Sequence, residues 1–280
     1  MATGLLSFFG RAGQRQSHCG RVAAVSMSVS VALLAFVAAP ASAADALTKG
    51  AAAYKPMAVE RIGTALAGAK ALQAAIKAGD AKAAQAAWIK SRSGWETIEP
   101  ITGEFFSDLD EAIDSWPDAK QGYHAIEARL FAGSLGDLSA PADKLAADLA
   151  TFDKKLRDKK FTFKPQGLLN GATKLAYEIG ENKSKGGESP YAGTSLNDMR
   201  DNLEGVEIVY KVAFAPTLKQ RDAKLAHDIH EKIEDMEKIL AVKDIKSLNQ
   251  AALSKGGEEL AVLLQNSAAK LKLKKPTLKE

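Results

Sequence analysis

Apolar residues recur at helical spacing through nearly all of this 280-residue chain, and that period limits its fold more than any other feature. Leu225, Ile229, Ile233, Met236 and Leu240 follow one another by steps of four, four, three and four, so all five share one helix face. Runs of β-branched residues are few, and no pair of alternating segments flanks a hairpin turn. Breakers cut the pattern into segments. Gly79-Asp80 separates a first helix from a second, and Pro100 is expected to close the second just after Glu99. Pro117-Asp118 and Gly122 bound a short third helix, and Gly133 to Pro141 reads as a loop in which Ser139 caps the next helix. A looser stretch, Phe161 to Pro165, marks a join. Beyond it come a helix over about 166–183, an irregular segment from Ser184 to Thr194, a helix opened by Ser195-Leu-Asn-Asp198, and two more after Pro216 and Asp244. The lysine-rich tail from Lys270 is expected to fray. The expected fold is all-α, an antiparallel helical bundle of eight or nine helices built as two tandem four-helix bundles, with halves at about 44–160 and 165–275.

The first 43 residues contain no acidic side chain. Arg11, Arg15 and Arg21 precede an apolar run from Val22 to Ala39 that ends at Pro40-Ala-Ser-Ala43. A basic start, a run of this length and small residues at its exit predict a cleaved signal peptide, residues 1–43. A retained membrane anchor is the alternative, because the run approaches the ~20 residues that a span needs. Cys19 precedes the run, the wrong place for a lipid-anchoring cysteine. The expected product is an exported, periplasmic helical domain over 44–280, monomeric, with association to the cell surface as the alternative. Three of the 38 basic residues would leave with the leader, so about 35 would face 34 acidic ones. No broad positive field remains to attract nucleic acid. The single cysteine would leave as well, so stability rests on the core rather than on a disulfide.

Two anomalies carry the chemistry. On the helix around Gln121 to Ala132, Tyr123, Ile126, Leu130 and Phe131 define an apolar arc, with Glu127 in its middle and His124 near its edge. A carboxylate aimed into a core costs several kcal/mol unless it is paired, neutralised or coordinated. A His and a Glu three residues apart inside a bundle can hold a metal ion; a plain His–Glu hydrogen bond is the alternative. On the neighbouring helix Trp88 and Trp95 mark the buried face, Glu99 lies beside them, and Glu96 and Arg92 occupy the flank. An Arg92–Glu96 ion pair would satisfy Glu96 and leave Glu99 unexplained. The combined oxygen and nitrogen donors suit iron, manganese, zinc or copper.

Other polar groups are less telling. Asp108, Asp110 and Asp114 form an acidic run whose phase, set by Phe105, Leu109, Ile113 and Trp116, points Asp114 towards solvent unless the Pro117 turn redirects it. His227-Asp-Ile-His230-Glu231 lies beside the buried face of its helix and reads as solvated. Hydrolytic chemistry finds little support. No HExxH exists, Ala128 stands where HxxEH needs histidine, and neither a nucleophile elbow nor a Gly-rich phosphate loop appears.

Trp95-Glu-Thr-Ile-Glu-Pro100, then Phe105-Phe-Ser-Asp-Leu-Asp-Glu-Ala-Ile-Asp114, then Gly122-Tyr-His-Ala-Ile-Glu127 resemble successive motifs of the imelysin-like (EfeO/EfeM-type) family. Lys183-Ser-Lys-Gly186-Gly-Glu188-Ser-Pro-Tyr191, followed by Leu196 and Asn202-Leu-Glu-Gly205, resembles its second-half signature. The order of these motifs spans the chain after the leader, and the resemblance is to the short, single-domain members, which are expected to lack an amino-terminal cupredoxin-like domain. The resemblance implies two similar four-helix bundles and a non-enzymatic periplasmic protein of iron or other divalent-metal uptake, delivering its metal to an inner-membrane permease. It implies Glu96, Glu99, Asp114, His124 and Glu127 as ligands for iron, copper or zinc, with Glu178 a further one from the second half. Where the family often carries Tyr-Ser-His, this chain has Tyr191-Ala-Gly193, so any role of that histidine is missing. A short family member binds alginate, which implies a second reading as an acidic-polysaccharide binder. Lys154, Lys155, Arg157, Lys159, Lys160 and Lys164 would be its contact surface. The family's older name implies a third reading, metallopeptidase.

Overall fold

In the computed structural model residues 43–115, 120–185 and 187–278 are described, and they form helices with no strand. The expected leader lies outside them except for its last residue; Trp116, Pro117, Asp118 and Gly186 also fall outside. No helix among the described residues is long and apolar enough to cross a membrane.

A long first helix, α1 (Ala43–Ala78), turns at Gly79 and Asp80 into α2 (Ala81–Glu96). The Asp80 side chain accepts from the Ala83 amide, a cap that fixes where α2 starts. Pro100 does not close α2. The helix already ends at Glu96, and Pro100 sits in the first turn of α3 (Glu99–Asp114), where its missing N–H costs nothing. Glu96 and Glu99 therefore lie on two helices, facing each other across the two-residue joint.

The second departure decides the site. Inside α3 Phe106 has φ −145° and ψ 39°, which is not helical. Of the residues that set the expected face only Phe105 precedes this kink, and Asp114 is the last residue of the helix, where its surroundings rather than helical phase decide its exposure. Next come α4 (Gly122–Phe131) and α5 (Ser139–Arg157). Ser139 is already the first residue of α5 and makes no side-chain cap; Leu138 precedes it. The remaining helices are α6 (Pro165–Glu181), α7 (Ser195–Val209), α8 (Ala215–Arg221), α9 (Ala223–Leu240) and α10 (Gln250–Leu271), with a single π turn, Tyr210–Phe214, joining α7 to α8.

Residues 41–280 form one compact unit. Within it α1, α2, α4 and α5 pack on one another, α6, α7, α9 and α10 do likewise, and α3 bridges the two groups by lying on α6. We propose on this basis that the unit is organised as two four-helix halves meeting near residue 160. The tail does not fray at Lys270. Gln166 exchanges two amide bonds with Lys274, Gln265 donates to the Pro276 carbonyl, and Leu271 and Pro276 are buried.

Candidate metal centre

Helix α4 is set against α2 by specific bonds. The Trp88 indole N–H donates to the Tyr123 carbonyl at 3.2 Å, and the Ser91 and Tyr123 hydroxyls lie 2.7 Å apart. Gly122 opens α4 at φ +77°, with the Ile113 carbonyl oxygen 2.1 Å from where a Cβ would stand. Only glycine allows both the turn and the approach. Together these bring the end of α3 and the start of α4 against the middle of α2.

His124 and Glu127 consequently face inwards, as their phase predicts. His124 Nδ1 lies 3.4 Å from Glu127 Oε2, and Nε2 lies 3.1 Å from Asp114 Oδ1. Glu127 is fully buried, and its Oε1 accepts from the Tyr191 and Ala192 amides at 2.9 Å each. The segment that lacks the family's histidine thus meets the centre through its backbone. Asp114 is not solvated. Its Oδ2 accepts from the Trp95 indole at 2.7 Å, and Oδ1 pairs with Arg92.

Arg92 is the hub of the arrangement. Its side chain is only 1 % exposed, and it pairs with Glu96 (2.7 Å), Asp114, Glu188 (3.2 Å) and Asp198 (3.5 Å). The sequence reading placed Arg92 and Glu96 on a flank; both are buried. A second buried cation, Lys183, reaches Glu99 at 2.9 Å, Glu188 at 3.0 Å and Glu96 at 3.9 Å. The Asn202 amide donates to Glu96 at 2.7 Å and to Glu99 at 2.6 Å. Its helix can come this close because Gly205 lies against the Thr97 carbonyl, 2.4 Å from where a Cβ would be. Ser189 accepts from Arg92 Nε at 3.1 Å and donates to Asp198.

The electrostatics follow from burial. Burial alone would raise the Asp114 pKa, but Arg92 and the bond from His124 hold it below the usual carboxylate range. Glu188 is likewise held low against burial, by Lys183 and then Arg92. Burial lifts Glu96 well above the normal value despite Arg92, and lifts Asp198 to about 6. Burial and Arg92 would lower the His124 pKa, yet the bonds to Asp114 and Glu127 raise it overall.

Among the described residues one group places ligand atoms of three metal-binding side chains within 4.8 Å of one another: Asp114, His124 and Glu188. One imidazole nitrogen and two carboxylate oxygens form a donor set that fits iron, zinc or copper. Glu127 meets it at His124, Glu96 shares Arg92 with Asp114 and Glu188, and Glu99 shares Lys183 with Glu188. Glu178 is not drawn in. It lies 3.8 Å from Lys174 and lines, with Glu99, Glu104 and Asp110, a cavity of about 400 Å³ between α3 and α6. Burial raises Glu178 and Asp110 to about 7. The six cations from Lys154 to Lys164 are all exposed, well apart from this centre in the chain. His227 and His230 are solvated as expected, each beside a glutamate one turn on.

Sequence reasoning overlooked Glu188, Lys183, Asp198 and Asn202 as parts of the centre. Their one signal is the Lys183 to Gly205 motif, quoted above only for its resemblance.

Fold and centre together define a helical-bundle protein with a buried imidazole–carboxylate cluster. The chain belongs to the imelysin family: the family model (Peptidase_M75, imelysin) matches residues 50–121 and 118–274. It is 31 % identical over 198 residues to the iron uptake system component EfeM of Pseudomonas syringae pv. syringae (strain B728a), covering 67 % of this chain and 68 % of that protein. It is 30 % identical over 199 residues to EfeO, an iron uptake system component of Escherichia coli O1:K1 / APEC, covering 68 % of this chain. The matched stretch spans about half of EfeO, 52 % of its length. A crystal structure from Parabacteroides distasonis ATCC 8503, described as a putative iron-regulated protein A precursor, superposes with a TM-score of 0.67 at 15 % identity. The match covers 81 % of this chain and 95 % of that one, and shows a shared fold.

Proposed function

We propose that this protein is a non-enzymatic, exported metal-binding component of an iron-uptake system, holding its cargo ion at Asp114, His124 and Glu188. The observation that carries the reading is the convergence of those three ligand atoms within 4.8 Å, inside a centre crowded with further carboxylates. That the EfeM and EfeO relatives are iron uptake system components supports iron as the cargo. Glu96, Glu99 and Glu127 complete or neutralise the ligand sphere. The cavity bordered by Glu99, Glu104 and Asp110 offers an acidic approach to its Glu99 side. Glu178 belongs to that approach rather than to the ligand set. Delivery to an inner-membrane permease is part of the same proposal. Peptidase chemistry is disfavoured, because Glu127 spends one oxygen on two backbone amides and faces His124 with the other.

Calorimetric titration of the full exported chain with Fe(II) under nitrogen, Zn(II) and Cu(II) tests this. One tight site per chain, weakened by about two orders of magnitude or more in His124→Ala, is expected, since ligand loss is more severe than the 10–100-fold typical of outer-shell changes. Absence of a tight site in the wild type sinks the proposal.

A second reading rests on the uniform exposure of Lys154, Lys155, Arg157, Lys159, Lys160 and Lys164 at the end of α5 and beyond. Such a surface suits an acidic polysaccharide of the alginate type. Retention on an alginate matrix that disappears on reversing these charges would favour it; unchanged retention would remove it.

A further inference from the structure

We propose that Arg92 and Lys183 act as built-in substitute cations: they occupy the ligand carboxylates in the metal-free protein and weaken metal binding, so that the ion is held releasably. This rests on the metal-site reading above. Of the three converging ligands, two are carboxylates, and Arg92 holds both, with Nη1 on Asp114 Oδ1 and Nη2 on Glu188 Oε1. Lys183 Nζ sits on the same Glu188 oxygen, at 3.0 Å, and on both oxygens of Glu99, at 2.9 and 3.0 Å. The side chains of both cations are nearly inaccessible, 1 % and 6 % exposed. Neither can swing into water when a metal arrives without losing several bonds at once.

The physical consequence has a definite sign. A metal ion at Asp114, His124 and Glu188 competes with Arg92 and Lys183 for the same oxygens, and stands within a few ångströms of both positive charges. In a buried setting that repulsion is weakly screened. Without the two cations the centre would be a pocket of uncompensated carboxylates, costly when empty and relieved by metal. With them the metal-free state is already partly compensated, and the gain on loading is smaller. A purely structural arginine or lysine predicts the opposite, since its loss would disorder the ligands and weaken binding.

The test is Zn(II) and anaerobic Fe(II) titration of the full exported chain and of its Lys183→Gln and Arg92→Gln variants. Thermal unfolding is recorded with and without each metal. The expected result is a lower melting temperature without metal, a larger metal-induced rise than in the wild type, and binding tighter by about tenfold or more. A variant that folds only when metal is present is the limit of that effect and supports it. Binding that is unchanged or weaker in both variants overturns the proposal, as does a pair of variants that stay unfolded even with metal. If the wild type binds neither metal, the metal-site reading fails instead, and the two failures are told apart by that single control.

Discussion

Two parts of the molecule pair histidine with glutamate at helical spacing, and they do so at almost the same distance. In the centre His124 lies 3.4 Å from Glu127, with side chains 2 % and 0 % exposed. On α9 His227 lies 3.3 Å from Glu231 and His230 3.4 Å from Glu234, with exposures between 43 % and 64 %. The contact distances are alike, although the spacing is three residues in the centre and four on α9; the surroundings are what differ most. On α9 every partner is open to water. In the centre the same pair is one link in a network of two permanent cations and six carboxylates, where each charge sets the state of its neighbours. A His–Glu contact alone is not enough; burial among further charged groups makes His124 and Glu127 part of a candidate metal centre.

Removing the hub should break this contrast most severely. Arg92→Met leaves Asp114, Glu96, Glu188 and Asp198 without their shared partner, and should lower stability by about 3–5 kcal/mol at neutral pH. Urea unfolding measures it. The matching change in the exposed Lys224–Asp228 pair, Lys224→Met, should leave the urea midpoint within error. Equal effects would mean that burial does not distinguish the two regions.

Gly122→Ala attacks the placement of the centre rather than its charges. It forces a Cβ onto the Ile113 carbonyl at a positive φ, and should cost about 2–4 kcal/mol. Metal affinity should fall with it, because α4 carries His124.

A smaller and pH-dependent effect belongs to Asp110, at the border of the acidic cavity. Its pKa rises from 3.8 to about 7, chiefly through burial. The folded protein therefore keeps a proton that the unfolded chain releases. Stability is intact below the unfolded value and is lost as pH rises through about 7. Asp110→Asn mimics the protonated form, so its advantage over the wild type should grow from about pH 4 to about pH 8. A variant that loses stability over that range would contradict the raised value. The smallest effect is expected for His227→Ala with His230→Ala, which should change neither the urea midpoint nor the tight metal site.

The fold was largely legible because its signal is periodic. The four- and three-residue steps of α9 survive intact, and Ile229, Ile233, Met236 and Leu240 are all buried. Glu127 was legible for the same reason, since α4 is short and regular. Asp114 was not, because it closes α3, where Arg92 and Trp95 of α2 and His124 of α4 gather around the helix end. Helical phase relative to Trp88 and Trp95 puts Arg92 on a flank; the carboxylates of Glu96 and of residues brought from α3, α7 and the 183–194 segment make its burial tolerable. Glu188 and Lys183 lie where the chain has no regular period, so nothing local announces which way they face. The tail was misjudged because composition predicts solvation, whereas Gln166 and Gln265 dock its backbone.

The central claim is that metal enters the buried network and not the solvated histidines. Anomalous scattering from crystals of the full exported chain soaked with Zn(II) reads this directly. A peak about 2.0–2.2 Å from an imidazole nitrogen of His124 and carboxylate oxygens of Asp114 and Glu188 is the predicted result. A peak on His227 and His230 alone, with none among Asp114, His124 and Glu188, would contradict it.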